Sequence, residues 1–456
     1  MKPRKSFLLF VLYFCLIIAN SCQKFTPMVY DNSILPPKAD KTIYQHKIHD
    51  DIRLDPYYWL KDRDNPEVID YLERENDYYQ KMTAEQEEIK EDLYEELKGR
   101  IKEDDSSVPY FYNGYWYITR FEKNKQYPIY IRKKDSLSAA EEILFDCNGM
   151  AKNHKYFSLV GINVSPDNTK VAYAVDTQSR RKYTIFVKDL VTKQRLETKI
   201  ENTTGGSTWA SDSEHLFYVH KNPNTLRSEA IYRHNILTPN QENYLVYFEK
   251  DETFSTYVST SKSEAYIFIS SHSTLTSEYQ YIKANEPQAE FKMVQERIRK
   301  LEYYVKHYND EFYILTNQNG SDNFELVKVP IEKSDQTNWE VIIPHREDIL
   351  LEDIEIFKDY YVLTERSEGL TRLHIIKWDG TSDYYIPIEG ETYSLYSAYN
   401  PNFNSTKYRY GHSSLVLPRS INEFDIDAQT QDTLKLQPVM DRTFDSKNYV
   451  EKRLWA

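Results

Sequence analysis

The sequence is poor in cysteine and in glycine. Among 456 residues there are three cysteines, Cys15, Cys22 and Cys147, and 11 glycines. The first two cysteines lie in or at the end of an N-terminal apolar run, which leaves Cys147 alone in the globular part of the sequence. This excludes an internal disulfide framework and a cysteine-ligated metal site. The low glycine content also argues against collagen-like or glycine-rich disordered character.

Basic runs and phosphate-binding loops are also lacking. The formal net charge is −13, and no long basic segment is interleaved with aromatic residues. This balance disfavours a nucleic-acid partner and is typical of a solvated acidic surface. The 11 histidines are scattered, and the one close pair, His46 and His49, has no neighbouring ligand pattern of the kind that zinc sites use. We therefore predict no cofactor and no metal ion.

Three pairs of adjacent carboxylates are candidates for acid–base chemistry. They are Asp50-Asp51, Asp104-Asp105 and Glu141-Glu142. A general acid or base needs a pocket that shifts its pKa, which a sequence does not reveal, so solvated turns are the default interpretation.

The first 22 residues indicate export. A basic start with Lys2, Arg4 and Lys5 precedes an apolar run of 12 residues from Phe7 to Ile18, which is too short to span a bilayer comfortably. Ala19-Asn20-Ser21-Cys22 resembles the lipobox of bacterial lipoproteins. We therefore predict that residues 1–21 are a signal peptide and that Cys22 is lipidated, which would place the protein in the bacterial envelope, in the periplasm or on the outer membrane. Ordinary secretory cleavage and an uncleaved anchor are the alternatives.

A short sequence motif recurs seven times between Asn113 and Tyr410. Each copy is a polar turn followed by alternating apolar and tyrosine residues. The centres are Tyr117, Tyr173, Tyr218, Ile267, Tyr313, Tyr361 and Tyr410, spaced 45 to 56 residues apart. A period in the forties is typical of a β-propeller, in which each repeat is one four-stranded blade. The tyrosines at strand spacing are expected to pack between blades. The sequence therefore predicts an all-β, seven-bladed β-propeller over residues 107–437.

A helical arm is predicted before the propeller, over residues 46–106, after a tether over residues 22–45. Asn65-Pro66-Glu67 is a helix start, and the following apolar face contains Val68, Tyr71, Leu72, Tyr78 and Tyr79. A second helix is predicted to start at the capping box Thr83-Ala84-Glu85-Gln86, to carry Ile89, Leu93 and Leu97, and to end at Gly99.

Within the propeller the pattern predicts short strands separated by turns. Tyr127–Arg132 and Tyr183–Lys188 are clear strands, whereas the charge-rich segment Gln288–Leu301 predicts a loop or short helix that interrupts a blade. Gly205-Gly206-Ser207 superficially resembles the glycine-flanked serine of hydrolases, but Thr208-Trp209 lacks the second glycine of a nucleophile elbow. We interpret it as a turn that enters the third blade.

The segment from Arg53 to Asn76 carries the most specific resemblance to a known family. Its residues Arg53–Arg63, Pro66-Glu67-Val68, Tyr71-Leu72 and Glu75-Asn76 resemble the N-terminal arm of prolyl oligopeptidase-like serine peptidases, most of all oligopeptidase B. Further matching stretches extend the resemblance from about His46 to Ala456: Gly99–Glu103, Ser107-Val108-Pro109, Ser165-Pro166-Asp167, Tyr232-Arg233-His234, Glu249–Phe254, Leu315-Thr316-Asn317 and Asn323-Phe324.

This resemblance implies that catalysis and the control of substrate access belong to two different domains. In the family an α/β-hydrolase domain follows the propeller and carries the serine, aspartate and histidine of the catalytic triad, and the propeller limits access to short peptides. None of those catalytic residues has a matching position in this sequence, so no catalytic residue is predicted, and no α/β-hydrolase domain is expected in this chain. Residues 438–456 are expected to begin the linker to that domain.

Two functions remain open on these grounds. The first is the substrate-gating propeller portion of an oligopeptidase B-like peptidase, a family that cleaves short peptides after Arg or Lys, inactive by itself and a candidate to work with a separately encoded hydrolase domain. The second is a lipid-anchored propeller that binds a peptide or protein partner, which rests on fold-level analogy. Membrane association is expected through Cys22 alone.

Overall fold

The computed structural model describes residues 33–455, in two compact units that divide between Ile101 and Lys102. The predicted signal peptide, Cys22 and the part of the predicted tether before residue 33 lie outside the described residues. No helix between residues 33 and 455 combines the length and the apolar character needed to cross a membrane. The predicted domain bounds stay predictions.

The first unit begins with a β-hairpin, which the sequence patterns did not predict, and continues into helices. Strands β1 (Tyr44–Ile48) and β2 (Asp51–Asp55) are antiparallel, and a 3₁₀ turn covers Tyr58–Lys61. Helix α1 (Pro66–Thr83) starts as predicted, because the Asn65 side chain accepts a hydrogen bond from the Glu67 amide at 2.9 Å and Pro66 fits the first turn. Helix α2 (Glu87–Gly99) ends at the predicted glycine.

The predicted capping box at Thr83 is wrong. Thr83 is still the last residue of α1, and its hydroxyl donates to the Tyr79 carbonyl at 2.8 Å. A hydroxyl engaged with the preceding turn cannot cap the next helix. A 3₁₀ turn over Ala84–Gln86 therefore separates the two helices. Of the predicted apolar positions in this arm, Val68 is buried, whereas Leu72, Ile89, Leu93 and Leu97 are exposed.

The second unit is built from six antiparallel sheets, named here sheets 1 to 6 in chain order. Sheet 1 contains β3 (Asp105–Ser106), β4 (Tyr110–Tyr112), β5 (Tyr115–Phe121), β6 (Ile129–Lys134) and β7 (Glu141–Asp146), followed by the short helix α3 (Cys147–Ala151). Sheet 2 contains β8 (Ser158–Val164), β9 (Lys170–Asp176), β10 (Tyr183–Asp189), β11 (Arg195–Trp209), β12 (His215–Lys221), β13 (Ser228–Asn235) and β14 (Tyr244–Phe248).

The remaining four sheets each have four strands in sequential order. Sheet 3 contains β15 (Ser255–Thr260), β16 (Tyr266–His272), β17 (Ser277–Lys283) and β18 (Lys292–Gln295). Sheet 4 contains β19 (Tyr303–Tyr308), β20 (Glu311–Thr316), β21 (Glu325–Pro330) and β22 (Glu340–Ile343). Sheet 5 contains β23 (Ile349–Ile356), β24 (Tyr360–Ser367), β25 (Leu370–Lys377) and β26 (Asp383–Tyr385). Sheet 6 contains β27 (Ser394–Ser397), β28 (Lys407–Ser413), β29 (Ser420–Asp425) and β30 (Thr430–Leu436).

The all-β propeller fold is confirmed, but the prediction of seven separate blades is wrong. Five sheets are separate blades of four or five strands, and sheet 2 is one continuous sheet of seven strands. The cause is β11, a strand of 15 residues. Its first half pairs with β10, for example Ile185 with Ile200, and its second half pairs with β12, for example Tyr218 with Ser207. Because the strand does not break between the two pairings, two repeats of the sequence share one sheet.

Two local predictions inside the sheets are also wrong. The segment Gln288–Leu301 contains the edge strand β18, which pairs with β17 and buries Val294, whereas Lys292 and Met293 are exposed. The segment Gly205–Trp209 is part of β11 and not a turn. The predicted strands at Tyr127–Arg132 and Tyr183–Lys188 are confirmed as β6 and β10.

The apolar core lies between and within the sheets. All seven repeat centres are buried, with relative exposures from 0% to 8%. One cluster joins Phe268 and Tyr281 of sheet 3 to Phe312 and Val327 of sheet 4, and other clusters join further neighbouring sheets in the same way. The prediction that the tyrosines pack between blades is confirmed.

Candidate access channel on the propeller axis

Seven strands from all six sheets converge on two adjoining cavities, which we call the axial cavities. The larger has a volume of about 630 Å³ and the smaller about 480 Å³. The converging residues lie near the C-terminal ends of their strands: Tyr112 in β4, Val164 in β8, Trp209 in β11, Thr260 in β15, His307 in β19, Glu355 in β23 and Ser397 in β27. The fold therefore brings one short strand segment from every repeat to one place.

The hairpin turn between β15 and β16 contributes Ser261 and Lys262 to the lining of both cavities. This segment, residues 261–265, is named here the axial turn. Its base is closed by the Ser261 amide, which donates to the Tyr266 carbonyl at 2.8 Å, and by the Tyr266 amide, which donates to Ser261 Oγ at 3.0 Å. Glu264 adopts a left-handed backbone conformation with φ of 60°, which tightens the turn.

Lys262 of the axial turn forms an ion pair with Glu355 of sheet 5. Lys262 Nζ is 2.6 Å from Glu355 Oε1 and 3.3 Å from the centre of the Phe357 ring. Burial lowers the pKa of Lys262 to about 8, against the opposing effect of Glu355. The second oxygen of Glu355 accepts a hydrogen bond from Ser397 Oγ of sheet 6 at 2.8 Å. The pair is therefore fixed from both sides.

Ser263 of the axial turn bonds to His307 of sheet 4. Ser263 Oγ is 2.6 Å from His307 Nδ1, and His307 Nε2 is 2.6 Å from the Asn309 carbonyl oxygen. The carbonyl can only accept, so Nε2 carries the proton and Nδ1 accepts from the serine hydroxyl. Burial lowers the pKa of His307, which favours the neutral imidazole.

This serine–histidine contact lacks the third member of a catalytic triad, because its outer partner is a backbone carbonyl and not a carboxylate. Between residues 33 and 455 no histidine hydrogen-bonds to both a serine hydroxyl and a carboxylate.

Glu264, also in the axial turn, accepts a hydrogen bond from the Tyr112 hydroxyl of sheet 1. Burial and this bond raise the pKa of Tyr112. The three contacts together tie one turn of sheet 3 to sheets 1, 4 and 5. The axial turn is thus connected by side chains to three other sheets.

The carboxylate pairs named from the sequence do not enter this site. Asp105 pairs with Lys435 at 2.6 Å, Glu141 with Arg120 at 3.0 Å and Glu142 with Arg132 at 2.6 Å. Burial acts to raise the pKa of each of these three carboxyls, but the hydrogen bonds from their basic partners outweigh it and lower the pKa. They are ion-paired and not poised for proton transfer. Asp51 pairs with Arg53 in the exposed hairpin.

The remaining predicted positions also lie apart. His46 Nε2 is 3.8 Å from Asp55 in the first unit, and no group of three or more metal-binding side chains is found in the described range. Ser207 lies within β11, and its hydroxyl is buried without a hydrogen-bond partner. Cys147 is a buried free thiol, and burial raises its pKa. That this chain carries no catalytic, cofactor-binding or metal-binding residue stays a prediction.

Sequence reasoning missed Tyr112, Glu264, His307 and Glu355. The Lys262-Ser263 pair was recognised only as a turn at the start of a repeat. Tyr112 and Glu264 are 152 residues apart, and Lys262 and Glu355 are 93 apart, so no local pattern connects them. The one available signal was the repeat itself, which places equivalent turns around a common axis.

Residues 36–437 match the family described as "Prolyl oligopeptidase, N-terminal beta-propeller domain". The chain belongs to this family. The resemblance to prolyl oligopeptidases inferred from the arm and propeller residues is confirmed. Members of the family act on peptides by means of a catalytic domain in the full-length proteins.

Relatives and solved structures agree with this membership. The chain is 35% identical over 442 residues to Dipeptidyl aminopeptidase BI of Pseudoxanthomonas mexicana, covering 93% of this chain and 61% of that protein. It is 30% identical over 431 residues to Protease 2 of Moraxella lacunata, covering 92% and 61%. Oligopeptidase B from Leishmania major superposes with a TM-score of 0.86 at 28% identity, covering 92% and 63%. The chain thus spans about three fifths of the length of these proteins.

Proposed function

We propose that this chain is the substrate-gating propeller portion of an oligopeptidase B-like serine peptidase that acts on short peptides after Arg or Lys. The observation that supports this most is the convergence of strand ends from all six sheets on the axial cavities, beside an axial turn that contacts three other sheets. In this proposal the propeller controls which peptides reach a serine, aspartate and histidine carried by a hydrolase domain, and the chain alone is inactive.

The exposed apolar positions of the helical arm agree with this proposal. Ile89, Leu93 and Leu97 lie along one face of α2 and are each more than half exposed. Apolar side chains repeated along one helix face are typical of a surface that another domain covers. A hydrolase domain is the proposed cover.

The seven-stranded sheet is proposed to act as two blades. Its strands β8 to β11 and β11 to β14 each repeat the four-stranded order of the other sheets, with β11 shared. Counted in this way, the ring would have the seven repeats that the sequence period suggests.

Envelope attachment through Cys22 is a further part of the proposal, based on the basic, apolar and lipobox-like order of residues 1–22. In cells fed a radiolabelled fatty acid, the wild-type chain should acquire label and sediment with membranes. The Cys22→Ser variant should lose both properties. Equal labelling of the two would contradict attachment at this residue.

Peptidase reconstitution tests the function. The purified chain should hydrolyse chromogenic Arg and Lys peptides only at background rates. Mixed with the hydrolase portion of Protease 2 from Moraxella lacunata, it should restore cleavage that a serine-reactive inhibitor abolishes. The hydrolase portion alone, and the mixture with its catalytic serine replaced, are the controls. Robust inhibitor-sensitive cleavage by the chain alone would contradict the proposed inactivity.

A further inference from the structure

The sequence contains three Asn-Gly pairs, at residues 113–114, 148–149 and 319–320. In such a pair the backbone nitrogen of the glycine can attack the side-chain carbonyl of the asparagine, because glycine has no side chain to block the approach. The attack also needs rotation of the asparagine side chain and of the peptide bond that follows it. The fold therefore determines how readily each pair reacts, and it restrains the three pairs to different degrees.

The pair at Asn148 is held at both of its reacting groups. It lies in helix α3, where Asn148 Oδ1 accepts a hydrogen bond from the Tyr127 amide at 2.9 Å and Nδ2 donates to the Tyr127 carbonyl at 2.7 Å. The Gly149 amide donates to Asp146 Oδ1 at 3.2 Å. Both the side chain that would be attacked and the attacking nitrogen must lose hydrogen bonds before they can react.

The pair at Asn113 is restrained by a neighbouring hairpin. It forms the turn between β4 and β5, and both residues have left-handed backbone angles, with φ of 45° at Asn113 and 81° at Gly114. The Asn113 side-chain nitrogen donates to the Pro166 carbonyl, in the turn between β8 and β9, at 2.8 Å. Asn168 Nδ2 donates to the Asn113 carbonyl at 3.1 Å. The side chain must give up its bond to Pro166 before it can rotate.

The pair at Asn319 has a similar backbone geometry without such a restraint. Asn319 has φ of 55° and Gly320 has φ of 81°, as in a type I′ turn, and a hydrogen bond from the Ser321 amide to the Gln318 carbonyl at 3.0 Å closes the turn. Both residues are exposed, and the Asn319 side chain has no hydrogen-bond partner between residues 33 and 455. A Cβ built on Gly320 would meet no atom within 4 Å, so the space beside the pair is open.

We propose that Asn319 is a site of spontaneous deamidation in the folded protein, and that it reacts before Asn113 and Asn148. The Gly320 nitrogen forms a bond to the side-chain carbonyl carbon of Asn319. The bond from that carbon to the side-chain nitrogen breaks, and this nitrogen leaves as ammonia with the proton from Gly320. Water then opens the resulting cyclic imide at either carbonyl and leaves aspartate or isoaspartate. Water is the only co-reactant, and no electron is transferred.

The products change the turn without displacing the strands beside it. Either product adds a negative charge three residues before Asp322, and isoaspartate also adds a methylene group to the main chain between Gln318 and Ser321. Gln318 and Ser321 are buried, and Gln318 Nε2 donates to Glu325 Oε1 at 2.9 Å. The ends of the turn are therefore held by packing that the reaction does not touch.

Ageing of the full chain tests the proposal, with the other two pairs as internal controls. The native protein is kept at mildly alkaline pH, and samples are digested in acid and sequenced by tandem mass spectrometry, which measures the amide-to-acid conversion at each asparagine. Conversion at Asn319 should be about tenfold faster than at Asn113 and Asn148, because fewer hydrogen bonds must open first. Enzymatic methylation of isoaspartate with a labelled methyl donor should label the fragment that contains Asn319.

The same experiment in denaturant separates the effect of the fold from that of the sequence. There the three pairs should convert at similar rates, since each asparagine is followed by glycine. The Asn319→Gln variant should lose the conversion at this position, because the longer side chain must close a larger ring. The native rates at Asn113 and Asn148 should be the same in this variant as in the wild type.

Equal rates at the three asparagines of the native chain would overturn the proposal, and so would faster conversion at Asn113 or Asn148. Absence of conversion at Asn319 in the native chain would also overturn it, since the turn itself would then protect the pair. The same preference for Asn319 in denaturant would contradict the role given to the hydrogen bonds of the other two pairs. The reaction needs no peptidase activity, so its outcome is independent of the proposed function.

Discussion

At the scale of single residues, buried charges in the sheets are held by several partners at once. Glu365 in β24 has a side chain that is 1% exposed. It accepts hydrogen bonds from Arg346, from Tyr385 at 2.7 Å and from His374 Nδ1 at 3.5 Å. Burial by itself raises the pKa of Glu365, but the bonds from His374, Tyr385 and Arg346 outweigh it and lower the pKa to about 2.

This lowered pKa predicts a specific acid sensitivity. The unfolded pKa is 4.5 and the folded pKa is about 2, so the folded state binds fewer protons between these values. The stability contributed by Glu365 is therefore present above pH 4.5 and is lost as the pH falls towards 2. The loss should be on the order of 3 kcal/mol in the free energy of unfolding.

Chemical denaturation at a series of pH values checks this against Glu365→Gln, which does not titrate. The stability advantage of the wild type should shrink from pH 5 to pH 2. The neighbouring imidazole does not interfere, because the pKa of His374 is raised by its two carboxylate partners against the effect of burial, which keeps it charged throughout this range. A difference between the two proteins that is constant with pH would contradict the assigned role of Glu365.

At the scale of elements, the close approach of β8 to β11 in sheet 2 depends on glycine. Gly161 has a φ of +65°, and a Cβ built there would lie 1.9 Å from the Gly205 carbonyl oxygen. The neighbouring Gly206 has open space at its Cβ position. Close backbone approach, and not turn formation, is therefore the requirement at Gly161.

Alanine substitutions at these two glycines make a matched test. Gly161→Ala should lower the free energy of unfolding by about 3 kcal/mol, since it adds both a backbone clash and strain at positive φ. Gly206→Ala should change it by less than about 0.5 kcal/mol. Thermal and denaturant unfolding measure both. Equal effects of the two substitutions would contradict the requirement for glycine at position 161.

The individual elements also show which parts of the fold can be predicted from the sequence pattern. Local signals predicted α1 from Asn65 and Pro66, the strand β10 from its alternation, and the propeller from its period, because each depends on neighbours in the chain. The fused sheet was missed because a period counts repeats but does not report whether a strand continues between them. The strand β18 was missed because it is only four residues long and has one buried apolar side chain, Val294, in a segment otherwise rich in charge.

The residues of the candidate site could not be predicted from local sequence patterns, for a related reason. Its contacts join residues far apart in the chain, such as Tyr112 and Glu264, and the repeat predicts only that such turns surround one axis. Which turn makes such contacts depends on side chains that vary between repeats. The resemblance to the peptidase family supplied the fold and the class of function, and the structure supplied the contacts of the axial turn.

At the scale of the whole molecule, the first and last sheets of the propeller meet through side chains. Strands β3 and β4 pair with β5, and β30 pairs with β29, so no described strand is shared between sheets 1 and 6. Lys435 Nζ lies 2.6 Å from Asp105 Oδ2, and Arg409 donates to the Pro109 carbonyl at 2.6 Å. The rings of Tyr110 and Tyr399 pack edge to face at 4.7 Å.

Control of access by peptide size is the property that most directly distinguishes a gating propeller from a passive scaffold. The decisive measurement is cleavage by the reconstituted mixture of this chain and the hydrolase portion of Protease 2, with one cleavage sequence presented in a short peptide and in the same peptide extended at both ends. Titration of the active serine restricts the comparison to competent molecules. The short peptide should be cleaved and the extended one spared. Equal cleavage of both peptides by the mixture with the unaltered chain would contradict the proposed function.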